Sequence, residues 1–240
     1  MLQTERFPPL PLDEWEDTKT TLHLFLQIVG KVRMALHPKL NHWWHVTLYP
    51  TPHGLTTGRI PLAERDITID IDLRDHQAVL TDSEGHREAF DLPGLSVAGF
   101  YRRFFDALAR LDVDVAIKAE PYDHKSKTPF EEDEAHDAYD PAYVERYSRA
   151  LNGIAGVFEN FRGRFLGKST PVHLFWHSFD LALTRFSGKA GPPMEGGTKA
   201  DKEAYSHEVI SVGFWAGDDT VREPAFYAYA YPEPDGLAEA

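Results

Sequence analysis

The residues best able to do chemistry are concentrated in one aromatic stretch of the sequence. Residues 171–188, PVHLFWHSFDLALTRFSG, place two histidines, one aspartate and one arginine among large apolar side chains. Such a run belongs in a protein core, where polar groups need hydrogen-bonding partners. This stretch is therefore predicted to form one wall of a functional pocket.

Acid–base residues of this stretch and of a later one form a candidate catalytic set. A carboxylate beside a histidine can transfer protons, and Asp180 or Glu208 could fill that role. Arg185 could then hold a carboxylate or phosphate group of a substrate. The predicted catalytic residues are His173, Asp180, Arg185, His207 and Glu208.

An overlapping set has the composition of a transition-metal site. Neutral imidazoles and carboxylates are the usual ligands of zinc, iron and manganese, and an open coordination position allows water activation. The candidate ligands are His42, His45, His173, His207 and Glu208. No H-E-x-x-H motif and no nucleophile elbow is present, so the ligands would have to come from separate strands. The cofactor of this set would be a divalent transition metal; metal-free acid–base catalysis is the alternative.

Three segments with the composition of β-strands carry these residues. Residues 41–49, 172–186 and 205–215 are rich in β-branched and aromatic side chains. The second is long enough for one bent strand or a hairpin. In a regular strand, His42 and His45 point to opposite faces, which disfavours joint metal ligation. The three segments are expected to enclose a small-molecule pocket with aromatic walls from Trp43, Trp44, Trp176 and Trp215.

Apolar stripes at helical spacing predict three main helices. The first covers residues 13–36 and ends before Pro38, since the residue before a proline resists helical dihedral angles. The second follows an N-cap at Ser96 and ends at residue 110. The third begins at Pro141 and continues to residue 165.

The first helix also carries a polar stripe. Thr20, His23, Gln27 and Lys31 recur at spacings of three and four residues. Such a stripe is typical of a solvated helix face. In the alternative, functional interpretation, Lys31 and Arg33 reach an anionic ligand.

The remaining segments indicate antiparallel structure. Residues 66–73, 77–81 and 86–92 predict a meander with one solvent-facing side. Further strands are predicted at 113–117 and 225–231. Because strands outnumber helices and no βαβ alternation is sustained, the predicted fold class is α+β, with mostly antiparallel sheet segments packed with about three main helices.

Residues 1–240 are expected to form a single α+β unit. The candidate sub-boundary is the loop 120–140, which contains two prolines and the acidic run EEDEAHD. This loop is predicted to be solvated, with a metal site or a lid as the alternatives.

The composition excludes several functional classes. A net charge of −13 and a pI near 5.3 argue against binding to nucleic acid or to an anionic membrane surface. The absence of cysteine excludes disulfides, thiol nucleophiles and cysteine-ligated metal centres. No secretory signal or membrane segment is recognisable, so a cytoplasmic location is expected. The sequence leaves the oligomeric state open.

Four segments resemble the signature stretches of an uncharacterised bacterial family described as a domain of unknown function. They are NHWWHVTLYPTPHGLTT, GKSTPVHLFWHSFDLALTRFSG, AYSHEVISVGFW and PAFYAYAYPEP. The resemblance spans nearly the whole chain and implies a bacterial protein that forms one full-length unit. It brings no assigned catalytic residues. It also implies glycine where this chain has His177, so a mechanism shared by the family would not depend on that histidine.

These observations predict a small-molecule-binding protein, acting as a metal-dependent or acid–base enzyme, with its pocket between residues 41–49, 172–186 and 205–215. Whether it is an enzyme is left open by the sequence. The alternative is a non-catalytic interaction or structural protein with an aromatic-rich core, in which the proline-rich N-terminal arm or the acidic loop docks a partner.

Overall fold

The computed structural model describes residues 6–237, which adopt the predicted α+β fold. The helices are α1 (Leu12–Leu36), α2 (Val97–Arg110), α3 (Pro141–Arg162) and α4 (Lys199–Ala204). The strands are β1 (Tyr49–Thr51), β2 (Gly54–Thr56), β3 (Ile60–Pro61), β4 (Asp66–Asp72), β5 (Gln77–Asp82), β6 (Arg87–Asp91), β7 (His173–Phe175), β8 (Asp180–Ala190), β9 (His207–Trp215) and β10 (Ala225–Tyr231). They form two antiparallel sheets.

The first sheet contains the predicted meander. Its order is β1–β2–β4–β5–β6, and β3 pairs with the start of β4. Along β4, Ile67, Ile69 and Ile71 are buried and the intervening polar residues are half-buried. The buried isoleucines belong to the same apolar core as residues of α1 and α2. Alternation with period two therefore identified both the strand and its buried face.

The second sheet has the order β10–β9–β8–β7. Of the two predicted alternatives for residues 172–186, the structure adopts the hairpin, because the chain reverses at residues 176–179. Phe179 ends this turn with a φ of 59°, a left-handed conformation that few residues other than glycine adopt. The backbone N–H of Phe179 donates to the carbonyl oxygen of Phe175 at 2.8 Å and closes the turn.

The polar stripe of α1 is not solvated, contrary to the prediction. His23, Gln27 and Lys31 are all buried. The reason is that the loop 120–140 and the turn 176–179 pack against this face of the helix.

Lys31 and Arg33 of α1 are engaged within the protein. The Lys31 ammonium lies 5.8 Å from the ring centroid of Trp176. Arg33 donates a hydrogen bond to the carbonyl oxygen of Thr57 and lies over the ring of Tyr49. The interpretation of these cations as ligands for an anion is therefore not supported.

Residues 41–49 do not form the predicted strand. Asn41–Trp43 is a 3-10 turn, and the first strand begins only at Tyr49. His42 and Trp43 both have positive φ angles, 56° and 61°. Tertiary contacts override the local β-propensity, since the buried His42 ring donates from Nδ1 to the carbonyl oxygen of Ala204 at 3.2 Å.

The loop 120–140 is anchored in the core at two positions, although most of its charged side chains are exposed. Phe130 is fully buried, and Asp133 is 1% exposed. Phe130 begins a short 3-10 turn, Phe130–Glu132, and Asp133 follows it directly. The prediction of a solvated loop therefore holds for the exposed acidic residues and fails at Phe130 and Asp133.

One smaller prediction also fails, because residues 113–117 have no strand pairing. Thr198 and Asp201 form a capping box that begins α4. Among residues 6–237, none of the helices combines the length and apolar character needed to cross a bilayer.

Candidate functional site

A cavity of about 750 Å³ lies where four distant segments of the chain meet. Its walls come from α1, the loop 120–140, the turn 176–179 with the start of β8, and the end of β9 with residues 216–219 and Tyr227 of the adjacent β10. Such a volume is typical of small-molecule sites. We call it the histidine cavity, because its lining includes His23, His124, His136 and His177.

His23 joins α1 to the turn 176–179. Its Nε2 donates to the carbonyl oxygens of Trp176, at 3.0 Å, and His177, at 3.2 Å. The proton of the neutral ring is therefore on Nε2 and the lone pair on Nδ1. Burial lowers the pKa of His23 to about 3, so the ring is neutral at pH 7.

The turn approaches α1 closely because residue 30 is glycine. Trp176 lies across the backbone of the helix, and a Cβ atom on Gly30 would be only 2.1 Å from Cδ1 of the indole. No larger residue fits without displacing the indole. This close approach brings the carbonyl groups of the turn within reach of His23.

The loop 120–140 is fastened to two helices. Gln27 of α1 donates to the carbonyl oxygen of Tyr122 at 2.9 Å and accepts the N–H of the same residue at 2.7 Å. The first N–H groups of α2 donate to the carbonyl oxygens of Asp133 and His136, at 2.9 and 3.0 Å. These bonds hold the two histidines of the loop at the cavity.

A buried carboxylate orients His136. The carboxylate oxygens of Asp133 accept the Nδ1–H of His136 at 2.9 and 2.8 Å. One of these oxygens also accepts the backbone N–H groups of Ala135 and His136, both at 3.2 Å. With Nδ1 as the donor, Nε2 carries the lone pair and is the nitrogen left for a ligand. A carboxylate in this position also stabilises the imidazolium that forms when Nε2 takes a proton.

His124 stands between the other two imidazoles. Its ring centroid is 5.6 Å from that of His23 and 6.2 Å from that of His136. Its Nδ1 accepts the backbone N–H of Ser126 at 3.1 Å, which leaves Nε2–H as a donor. Burial lowers the pKa of His124, and the nearby His136 lowers it further. The His124 ring therefore presents an N–H donor next to His136.

A second buried carboxylate lines another wall. Asp180 accepts hydrogen bonds from the hydroxyls of Ser178 and Tyr227, both at 2.5 Å. Tyr227 lies across β9 because residue 213 is glycine, where a Cβ atom would be 2.1 Å from the phenol ring. Burial and the charge of Asp180 raise the pKa of Tyr227, so its hydroxyl remains protonated. Trp215, which faces Asp180 in the β8–β9 register, completes this wall.

A model of the family of unknown function DUF5996 matches residues 7–240. The chain belongs to this family. No curated protein and no solved structure matches it. The resemblance seen in the sequence is thus confirmed, and the function of this DUF5996 member has to be argued from its geometry.

Of the five predicted catalytic residues, only Asp180 lines the histidine cavity of this DUF5996 member. His173 is 1% exposed, and its Nδ1 donates to the carbonyl oxygen of Pro171 at 2.8 Å. Its Nε2 is buried without a partner among residues 6–237. His173 is therefore a core residue next to the site rather than part of its lining.

Arg185 and Glu208 lie on the part of the sheet away from the cavity. The Arg185 guanidinium stacks 3.5 Å over the ring of Phe161 and donates to the carbonyl oxygen of the same residue. Glu208 accepts the hydroxyl of Ser187 at 2.7 Å. Neither side chain lines the histidine cavity.

The predicted metal ligands are dispersed. His42 and His207 approach each other, with ring centroids 5.5 Å apart, beside a second cavity of about 700 Å³. His45 accepts a backbone N–H of its own loop at 3.3 Å. His173 and Glu208 lie elsewhere. Within the described residues, no three of these five offer ligand atoms within 4.8 Å of one another; the group that does is Asp82, Glu84 and His86, on the β5–β6 turn.

The predicted pocket is divided between the two cavities. The histidine cavity uses residues 177–180 and 215–219, whereas residues 39–42 and 206–207 line the second one. Sequence reasoning missed His124, His136 and Tyr227 as site residues. The polar stripe of α1, which includes His23, was the available signal for this location.

Proposed function

We propose that this DUF5996 protein binds a small molecule in the histidine cavity and acts on it by acid–base catalysis. The observation that carries the proposal is the pairing of buried Asp133 with His136 at the cavity wall. Nε2 of His136 would accept a proton from the substrate, and Asp133 would stabilise the resulting imidazolium. His124 would donate a hydrogen bond from Nε2 to the same molecule.

A second aspartate–histidine pair, Asp82 and His86, shows the same hydrogen bonding at a position outside the cavities. Asp82 accepts the Nδ1–H of His86 at 2.8 Å and the N–H groups of Glu84 and His86, in the turn between β5 and β6. The His86 side chain is 63% exposed and lines neither cavity. The Asp82–His86 pair stabilises the turn between β5 and β6 through these hydrogen bonds. The cavity and the neighbouring His124 distinguish the Asp133–His136 pair and support a chemical role for it.

The test compares His136→Asn with His86→Asn. Asparagine retains an N–H donor for the aspartate in both variants but lacks the nitrogen that accepts a proton. A thermal-shift screen of small polar molecules first identifies compounds that stabilise the wild-type chain, and NMR then follows their conversion. We expect His136→Asn to lower turnover by about 10²-fold or more and His86→Asn to leave it unchanged. Full activity of His136→Asn, or the absence of any stabilising compound, would overturn the proposal.

The composition supports two further proposals. The absence of cysteine suits a reducing compartment, so we place the protein in the cytoplasm. The net charge of −13 argues against nucleic acid as a partner. No particular contact favours the alternative of a non-catalytic interaction or structural protein.

A further inference from the structure

We propose that the ligand of the histidine cavity is a small organic cation, an amine or guanidine, whose charge is met by Asp180. This inference rests on the proposed function, because it assigns a ligand class to the same cavity. Three features carry it: the burial of Asp180 without a counter-ion, the excess of carboxylates in the lining, and the aromatic rings beside Asp180.

Asp180 is a buried carboxylate that lacks a cationic partner. It is 8% exposed, and its partners are the hydroxyls of Ser178 and Tyr227. Within residues 6–237, no lysine, arginine or histidine nitrogen forms an ion pair with it. A buried charge is strongly unfavourable unless an opposite charge compensates it. A ligand ammonium or guanidinium group would supply that compensation, and the two hydroxyls already orient the carboxylate.

The rest of the lining has little positive charge to offer. Six carboxylates stand against two lysines, Lys19 and Lys125, and Arg222, outside the lining, pairs with two of the six, Glu16 and Asp219. Lys125 is paired with Asp219, and burial lowers the pKa of Lys19. The excess of negative charge would concentrate cations at the cavity and repel anions. The six carboxylates are Glu16, Asp17, Asp123, Asp180, Asp218 and Asp219.

Aromatic rings stand beside the carboxylate. Trp215 and Tyr227 line the cavity with ring centroids 5.7 Å apart, and Phe179 lines it at the turn. Ring faces attract organic cations. Asp180 and these rings together should favour an amine over an alcohol of the same size. The alcohol makes the same apolar contacts, but it is attracted neither to the carboxylate nor to the ring faces as a cation is.

The test is calorimetric titration of the wild-type chain at pH 7 with matched probes. The butyl and phenethyl skeletons are each used as the amine, the alcohol and the carboxylic acid, and butylguanidine is added. We expect at least one cation to bind about tenfold or more tightly than its alcohol, and the acids not to bind measurably. Failure of every cation to bind, or binding no tighter than that of the alcohol, would overturn the inference.

Variants locate the charge that is responsible. Asp180→Asn should remove the preference for the cation, whereas Asp91→Asn makes the same change in net charge at an exposed position and should retain it. Tyr227→Phe is the second variant; it removes one hydroxyl from Asp180 and should weaken cation binding without abolishing it. Equal preference in wild type and a folded Asp180→Asn variant would contradict the role of Asp180.

The outcomes also separate this inference from the proposed function. If cations bind but His136→Asn leaves turnover unchanged, the ligand class stands and acid–base catalysis fails. If neutral or anionic molecules are converted in a reaction that depends on His136, the ligand class alone is wrong.

Discussion

In each cavity histidine from α1 and the loop 120–140, one ring nitrogen forms a hydrogen bond within the protein. In His23 that nitrogen is Nε2, and in His124 and His136 it is Nδ1. The committed nitrogen determines whether the other one donates or accepts. The three rings therefore present two acceptors and one donor, which is a chemically differentiated site.

His23 should make the protein sensitive to acid. The folded-state pKa of His23 is about 3, below its ordinary value of 6.5, because the ring is buried. As the pH falls below 6.5, the unfolded chain takes up a proton that the folded chain excludes. Stability should therefore fall by about 1.4 kcal/mol for each pH unit from 6.5 towards 3. Urea unfolding between pH 7 and pH 4 should show a shallower decline for His23→Gln than for wild type.

His86 provides the opposite control. Its hydrogen bond and ion pair with Asp82 raise its pKa. Its stabilising effect is fully present below the ordinary pKa and is lost as the pH rises through the raised value. The difference between wild type and His86→Gln should therefore shrink towards high pH. Parallel stability curves for wild type and His23→Gln would contradict the assignment of His23 as a buried neutral ring.

At the residue scale, a site residue could be predicted from the sequence only where its neighbours in the chain are of a different type. Asp180 stood out because it interrupts an apolar strand. His136 did not, because it lies in an acidic loop that reads as solvated. Its role depends on the burial of Asp133, which requires the loop to pack on α2.

At the scale of elements, the loop 120–140 is held by the amide of Gln27. Gln27→Ala should remove both hydrogen bonds to the backbone of Tyr122, at about 0.5–1.5 kcal/mol for each bond. Hydrogen exchange followed by mass spectrometry should then show faster exchange at residues 120–128. Gln77→Ala is the control, because Gln77 bonds only to the exposed Asp91. Unchanged exchange in Gln27→Ala would mean that other contacts fasten the loop.

The contact between Gly30 and Trp176 predicts an unusual response to alanine. Alanine favours helix by up to about 1 kcal/mol over glycine, but here its Cβ would overlap the indole, which typically costs about 1–3 kcal/mol. Gly30→Ala should therefore destabilise the protein in denaturant unfolding. Gly156→Ala, in α3, meets only the flexible end of Arg6 and should stabilise it. Equal effects of the two substitutions would contradict the packing described.

Helices and strands were predictable where their apolar residues recur with the period of the element, because one face of the element is buried. The three long helices and the meander have that property. Residues 41–49 lack it: their aromatic composition favours a strand, yet His42 is drawn against Trp44 and Phe186, with ring centroids 5.0 and 4.7 Å away. Contacts with residues more than a hundred positions away determine this turn, and the local sequence does not contain them.

At the scale of the whole molecule, we propose that the chain unfolds as one unit. Core residues from before and after the loop 120–140 belong to one apolar cluster, in which Phe25 and Tyr147 are among the largest fully buried side chains. Denaturant unfolding should therefore give the same midpoint by tryptophan fluorescence, which reports on α1, residues 43–44 and the second sheet with its turn 176–179, and by hydrogen exchange of β4 and β5. Two separated midpoints would indicate a boundary within the loop.

The cavity is a property of the whole fold. Its lining comes from residues 16–23, 123–136, 177–180 and 215–227. Sequence patterns within each segment predict helix, loop or strand, but not that the four meet. The sequence therefore predicts that a polar site exists, but it does not predict which residues line that site.

Binding at the histidine cavity can be measured by ring nitrogen NMR of the histidines during titration with the compound that most stabilises the protein in the thermal-shift screen. We expect the largest change at Nε2 of His136, a smaller change at His124, and none at His86. Changes confined to His42 and His207 at the second cavity, or no change at any cavity histidine, would contradict binding at the histidine cavity.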